Sequence, residues 1–173
     1  MRIEPYPWTL EEARAELNRI RHPFSIALDR AKNPFNIGAI IRTAHSFLAE
    51  EIVLVGSEPW YERAAMGMHR YENIIELPDD EAFVSWARRR GRRVVAFERE
   101  GASASLWQTP LLPGDCLLLG NENEGIRPAL RQTADVTVTI PMFGINHSFP
   151  LGMCAGIAMH EWCRQHYAGG RTA

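Results

Sequence analysis

Ile140-Pro-Met-Phe-Gly-Ile-Asn-His-Ser-Phe-Pro-Leu-Gly-Met-Cys-Ala-Gly-Ile-Ala-Met-His-Glu-Trp162 is the stretch on which the reading of this chain turns. It opens at the end of a β-rich run, residues 135–140. Pro141 ends the ladder because it has no backbone N–H to donate. Gly144, Asn146 and His147 read as a polar loop. Residues 151–167 read as a helix, with Leu151, Cys154, Ala155, Ala158 and Trp162 near one face. Glycines and small residues along that helix let another backbone come close. Alone, such a strand, loop and helix describe either an ordinary core connection or an edge that cradles a ligand.

The same unit recurs upstream. Residues 24–29 read as a strand, residues 30–36 as a polar loop, and residues 37–48 as a helix with Ile37, Ile40, Ile41, Ala44, Phe47 and Leu48 at helical spacing. Residues 51–56 are nearly all apolar, as expected of a buried parallel strand. After an irregular stretch, 57–70, come a short strand at 74–77 and a helix from Asp79 or Asp80 to about Arg90. Gly91 closes that helix, and its last turn carries Arg88, Arg89 and Arg90, where positive charge suits the dipole. Strands at 93–98 and 115–120 follow, separated by a proline-bearing loop at 106–114, and Pro128 starts a short helix to Thr133. At the front, Thr9 caps a helix that carries Glu11 and Glu12 in its first turn and stops before Pro23. The alternation predicts an α/β fold, a mostly parallel sheet of about six strands with helices on both faces. One domain spans 1–173: an N-terminal helical arm at 1–23, a core at 24–167, and a frayed tail at 169–173.

Composition narrows the class. The chain has 173 residues, 46% of them hydrophobic, enough for a sizeable core and too apolar for a disordered chain. No apolar run approaches the ~18 residues of a membrane-spanning helix. Residues 1–8 lack a secretory apolar segment, so a cytoplasmic location is expected. Cys116, Cys154 and Cys163 are odd in number and lack zinc-ligand spacing, which predicts reduced thiols and no metal. A net charge of −2 argues against nucleic-acid binding by the whole surface and leaves room for a local basic patch. Arg42, Arg63, His69, Arg70, Arg127 and the run 88–93 are the candidates, although that run also suits a solvated helix end.

Two further clusters sit at strand-to-helix junctions. In the first, residues 33–43, Asn36 either caps the helix or serves a ligand. Arg42, six residues on, follows Ile40 and Ile41. It is either a surface or salt-bridged arginine, or a planar fork of donors aimed at a phosphate or carboxylate. The second is Leu118-Leu-Gly-Asn-Glu-Asn-Glu-Gly-Ile126. It is not a P-loop, because no Lys-Ser or Lys-Thr follows Gly125, nor is it the dinucleotide fingerprint. A glycine at the strand's end admits a ligand close to the backbone. Glu122 and Glu124 make a poor phosphate cradle and suit hydroxyls or positive charge better.

Taken together and in this order, the three clusters resemble the signature motifs of the SPOUT class of methyltransferases, and within it the TrmH family of RNA ribose 2′-O-methyltransferases. The matching residues are Asn36 and Arg42; Gly120, Glu122 and Gly125; and Ile140, Pro141, Met142, Gly144 and Ser148. The chain departs from the family's Ser-Leu-Asn with Ser148-Phe149-Pro150, and it has Gly152 where a small polar residue is usual. The resemblance, over residues 24–165, implies a deep trefoil knot within 115–167, an exception to the rule against threaded connections. It implies S-adenosylmethionine as cofactor, tRNA or rRNA as substrate, and a homodimer with no membrane or metal partner. By position, Phe97, Gly120, Asn121, Gly125, Ile140, Met142, Gly144, Ser148, Phe149 and Leu151 would hold the cofactor. Arg42, Asn36, Glu122 and Ser148 would serve catalysis. An arginine is effectively always protonated, so Arg42 suits clamping a phosphate and stabilising the developing alkoxide better than acting as a base. For the homodimer, the expected close-approach face on the last helix is Gly152, Ala155, Gly156 and Met159. Two other readings stand beside this one: a non-catalytic descendant that binds RNA or S-adenosylmethionine, and a SPOUT enzyme acting on a base nitrogen.

Overall fold

The computed structural model describes residues 8–145 and 148–167; Asn146 and His147 of the expected polar loop, the 169–173 tail and residues 1–7 lie outside the described residues. In chain order the elements are α1 (Leu10–Ile20), β1 (His22–Asp29), α2 (Pro34–Ser46), β2 (Ala49–Val55), β3 (Ile74–Leu77), α3 (Asp80–Arg90), β4 (Arg93–Phe97), β5 (Ala104–Ser105), β6 (Asp115–Leu119), α4 (Pro128–Arg131), β7 (Val136–Thr139) and α5 (Leu151–Tyr167). Short 3₁₀ turns occupy Glu62–Ala65, Met68–Tyr71 and Leu106–Gln108. The seven strands form one sheet in the order β3-β2-β1-β6-β4-β7-β5. Every pairing is parallel. The strand beyond the expected six is β5, whose two residues are too short to carry a period.

The sheet is buried on both faces, so its central strands read as continuous apolar runs rather than alternating ones. Phe24, Ile26 and Leu28 of β1 share one core with Ile37, Ile40 and Ile41 of α2 and with Leu151, Ala155 and Trp162 of α5. Ala27 of the same strand turns to the other face, where Val53, Cys116 and Leu118 meet Phe83 and Trp86 of α3 and Leu130 of α4. Trp162 packs at a tilt against Phe24 with ring centroids 4.6 Å apart, and its Nε1 donates to the Leu112 carbonyl at 3.0 Å. Gln165 adds bonds to the backbone of Leu111 and Thr109, fastening the end of α5 to the segment before β6.

Local chemistry explains most element ends. Thr9 and Glu12 form a reciprocal capping box at the start of α1, and Gly91 ends α3 at φ +60°. One cap differs from the sequence reading. Asn33, not Asn36, accepts the amides of Phe35 (3.0 Å) and Asn36 (3.4 Å), with Pro34 at the first helical position. Helix α2 therefore begins three residues earlier than expected, and the Asn36 side chain is released from capping.

The N-terminal ends of the strands carry a dense set of ion pairs. Arg92 bridges Glu50 (2.9 Å) and Glu51 (3.0 Å), Arg90 reaches Glu51 (2.7 Å), and Arg93 forks onto Asp115. Arg21, which follows α1, meets Glu72 at 2.7 Å with both side chains almost fully buried, and His45 takes the other Glu72 oxygen. The arginine run at 88–93 thus spends Arg90, Arg92 and Arg93 on acids of the sheet. Helix α1 buries Ala13 and Leu17.

Helix α5 also differs from expectation on one face. Ala155 and Met159, expected at a helix–helix approach, are fully buried in the chain's own core. Gly152 and Gly156 remain outward, with open space where a β-carbon would stand. Cys116 is buried and its thiol pKa is pushed up by that burial; Cys163, half-buried, is pushed up to about 11.

Candidate active site

The C-terminal ends of β4, β6 and β7 open onto a cavity of about 380 Å³. Its floor is the turn that follows β6. Asn121 and Gly125 exchange backbone bonds at 3.0 and 2.9 Å, closing a tight loop. The Asn121 side chain accepts the Asn123 amide at 2.9 Å and donates to the Arg30 carbonyl at 2.8 Å, so the turn is latched to the end of β1. Two glycines make this turn compact. A β-carbon on Gly120 would stand 2.1 Å from the Gly125 carbonyl carbon. One on Gly125, at φ +68°, would stand 2.6 Å from a Glu98 carboxylate oxygen. That oxygen accepts the Ile126 amide, tying the end of β4 to the far side of the turn.

Four carboxylates, Glu98, Glu100, Glu122 and Glu124, line this cavity together with Arg99 and Arg131. Glu122 accepts from Asn36 Nδ2 at 2.8 Å, which joins the first turn of α2 to the cavity wall. Glu124 reaches outward to Lys32 (3.3 Å) and Arg30 (2.9 Å). The Lys32 hydrogen bond, then the charges of Lys32 and Arg30, hold the Glu124 carboxyl below the usual carboxylate range. Phe97, Leu119, Ile140, Met142, Phe149 and Leu151 supply an apolar side. Cys154 lies there too, its thiol raised by burial. A wall of this kind suits a flat ring, and the carboxylate rim suits a ligand with hydroxyls and positive charge.

Most of the residues singled out in the sequence meet here. Phe97, Gly120, Asn121, Glu122, Gly125, Ile140, Met142, Ser148, Phe149 and Leu151 all line the cavity. Asn36 adjoins it through Glu122. Gly144 does not line it; it is exposed in the loop between Phe143 and Ile145, which are themselves 86% and 96% exposed. Arg42 does not line it either. Its side chain is exposed, and among the described residues it has no ion-pair partner. It stands six residues beyond Asn36, about 9 Å along the helix axis at ~1.5 Å per residue. Arg127, a candidate for nucleic-acid contact, is instead committed to buried Asp29 (Nε to Oδ1, 2.8 Å) and to Asp80. Sequence reading missed Glu98, Arg99, Glu100 and Arg131. The available signal was position: Glu98 directly follows a parallel strand, where ligands of open α/β sheets collect. Pro150 accepts the amides of Met153 and Cys154 through its carbonyl, so it starts α5 with its backbone and brings no side-chain donor.

Residues 23–160 match the SpoU rRNA Methylase family. Among curated proteins, the chain is 28% identical over 149 residues to a 23S rRNA (guanosine-2'-O-)-methyltransferase of Coxiella burnetii, covering 83% of this chain and 59% of that one. The chain thus spans 59% of the length of that curated relative. Among solved structures, an AdoMet-bound rRNA methyltransferase from Sinorhizobium meliloti superposes with a TM-score of 0.77 at 33% identity, over 87% of this chain and 60% of that one. A structure giving insights into the 2-OH methylation of C/U34 on tRNA superposes with a TM-score of 0.76 at 28% identity, over 85% of this chain and 98% of that one.

Proposed function

The chain belongs to the SpoU rRNA methylase family, and on that premise we propose that it transfers a methyl group from S-adenosylmethionine to a ribose 2′-hydroxyl of tRNA or rRNA. The observation that carries the reading is the cavity where the two glycine-bearing loops meet, joined through Glu122 to Asn36. The chemistry of its donors fits the cofactor. The apolar side, with Phe97, Ile140, Met142 and Leu151, would take the adenine, and the carboxylates of the rim suit ribose hydroxyls and the ammonium group. When bound, S-adenosylmethionine supplies an electrophilic methyl on a sulfonium.

The chain's own residues then have to present a hydroxyl and stabilise it as its proton leaves. Glu122 holds the Asn36 amide in place, and Asn36 orients the ribose. Ser148 lines the same cavity as a second polar contact. Arg42 meets the substrate rather than the cofactor: its fork clamps a phosphate and stabilises the alkoxide as charge develops, and the proton leaves through that phosphate or water. Holding the hydroxyl in line supplies a large part of the barrier reduction.

Two features of the assembly belong to the same reading. One is a trefoil knot in residues 115–167, supported by the insertion of β6 between β1 and β4 and by the return of α5 to the segment before β6. The other is a homodimer, supported by the outward Gly152 and Gly156 of α5 and by the exposed Phe143, Ile145 and Met153. Sedimentation tests it: only a ~20 kDa species at micromolar concentration would exclude an interface of ordinary size.

Calorimetry with S-adenosylmethionine, followed by tritiated methyl transfer to total RNA lacking the modification, tests the function. Binding and transfer that end in a 2′-O-methylnucleoside are expected. A flat titration with folded protein would overturn the reading.

A further inference from the structure

Between β1 and α2 stand two cations whose common partner comes from across the cavity mouth. Arg30 Nη1 lies 2.9 Å from one oxygen of Glu124, and Lys32 Nζ lies 3.3 Å from the other. The pairing is loosely held, since the Lys32 and Glu124 side chains are 54% and 50% exposed, and ion pairs in such solvent are weak. Arg30 is not saturated by it. Among the described residues its Nε is buried without a hydrogen-bond partner, 3.7 Å from Asp29. Arg127 beside it differs, because both Asp29 and Asp80 already hold its guanidinium. The backbone keeps the pair of cations in register with the site. Arg30 sits at φ +48°, its carbonyl bound by Asn121, and Asn36 follows on the first turn of α2.

We propose that Arg30 and Lys32 form a binding site for a backbone phosphate of the RNA, and that the Glu124 carboxylate occupies this site in the free protein until RNA displaces it. The inference rests on RNA being the substrate. A carboxylate bridging two cations is a stand-in for a phosphate: the same planar fork and ammonium that hold two oxygens can hold two of phosphate's. Displacement is cheap, because Glu124 swings into water and no buried charge is stranded. Lys32 and Arg30 keep the Glu124 carboxyl below the usual range, so the stand-in is charged at neutral pH. The site adjoins Asn36, which places the captured phosphate next to the ribose that Asn36 would orient. With a formal net charge of −2, the chain has no general attraction for RNA, and a local anion site with a removable occupant would supply it.

The test is fluorescence anisotropy with a labelled 12-nucleotide single-stranded RNA and the full chain. Glu124→Gln should tighten binding about three- to tenfold, by removing the internal competitor. Lys32→Ala, an exposed change with no effect on folding, should weaken it about threefold. Arg30→Ala with Lys32→Ala should weaken it about tenfold and lower the slope of log K against log salt by about 0.7, the release expected for one phosphate on a single strand. In that double background, Glu124→Gln should do nothing. Unchanged or weaker RNA binding in a Glu124→Gln protein of normal melting temperature would overturn the site. The two readings fail separately. If the wild type neither binds RNA nor transfers methyl to it, the substrate assignment falls and takes this site with it. If the wild type does both and Glu124→Gln tightens nothing, only the phosphate site falls.

Discussion

The two ends of the parallel sheet use the same residue types to opposite purpose. At the N-terminal ends, Arg90, Arg92 and Arg93 are each matched by acids of the strands and Arg21 by Glu72 just before β3, and the Arg21–Glu72 pair is dry. At the C-terminal ends, buried Asp29 holds Arg127 in the same way, but the charges around the cavity mouth and on α2 are half in water: Glu124 with Arg30 and Lys32, Arg99 with Glu100, and Arg42 on its own face of α2. Arginines in a run, as at 88–90 and 92–93, look like a nucleic-acid patch in the sequence. What separates a structural arginine from a working one is whether a carboxylate has already taken it out of solvent.

Substitutions at the two ends should therefore separate stability from activity. The largest effect is expected at the N-terminal end. Arg21→Ala leaves Glu72 buried with only His45 beside it, which costs about 3–5 kcal/mol, or roughly 10 °C in melting temperature for a domain of this size. Methyl transfer assayed well below that melting point should persist. An Arg21→Ala protein that melts normally would remove the distinction between the two ends.

Next comes Arg42→Ala, for which a loss of about 10²–10³ in transfer rate is expected, the cost of one electrostatic stabiliser. Its melting temperature and S-adenosylmethionine affinity should stay near wild type, since the side chain is exposed. Arg42→Lys should rescue poorly, because an ammonium cannot reproduce the fork. Loss of stability and cofactor binding together in Arg42→Ala would make it one more structural arginine. A smaller change, about tenfold in rate, is expected of Asn36→Ala, which removes one hydrogen bond from half-buried Glu122. Retention of full activity there would remove Asn36 from the chemistry.

The smallest effect is a pH dependence at the N-terminal end. His22 stacks on Tyr167 at 4.3 Å and lies beside Trp162. Burial lowers its pKa, a Phe47 backbone hydrogen bond opposes this, and the charge of His166 lowers it further. In the unfolded chain the imidazole takes its proton near pH ~6.5, so between the two values the unfolded state binds more protons. The stability contributed is fully present above about pH 6.5 and is lost as pH falls through the folded value. Melting curves from pH 7.5 to 5 should show a drop of a few degrees that His22→Gln flattens. An equal slope in both proteins would assign the drop to other groups.

What was legible in the sequence was what is local. The Thr9 cap, the Gly91 stop and the bounds of α5 follow from neighbouring residues alone. So does the glycine-bearing turn after β6, whose residues lie within a few positions of each other. Asn33 and Asn36 both had the chemistry of a cap, and only the backbone path decides that Asn33 is used. Strand β5 needs β7 to exist at all. Arg127 looked free for RNA because Asp29 and Asp80 are far from it in sequence, and Ala155 and Met159 looked available for a partner because nothing local reveals the core they fill. Glu98 carried no motif, and its hold on Ile126 depends on two strand ends that the sheet brings together.

The central place of β6 has a consequence for how this chain is made. Its residues are the neighbours of both β1 and β4: Leu118 pairs with Ala27 on one side and Ala96 on the other. The Asn121–Arg30 bond that finishes this junction joins positions 91 apart. A nascent chain with everything through β4 synthesised has a strand-wide slot between two apolar edges, and each edge is a template for pairing with another molecule. Closing that slot waits on a loop of long contour, the slow step expected of distant parallel pairing. The ribosome therefore delivers the strand that fills this slot after the two strands it must join, and until then the growing polypeptide is a natural client for a chaperone.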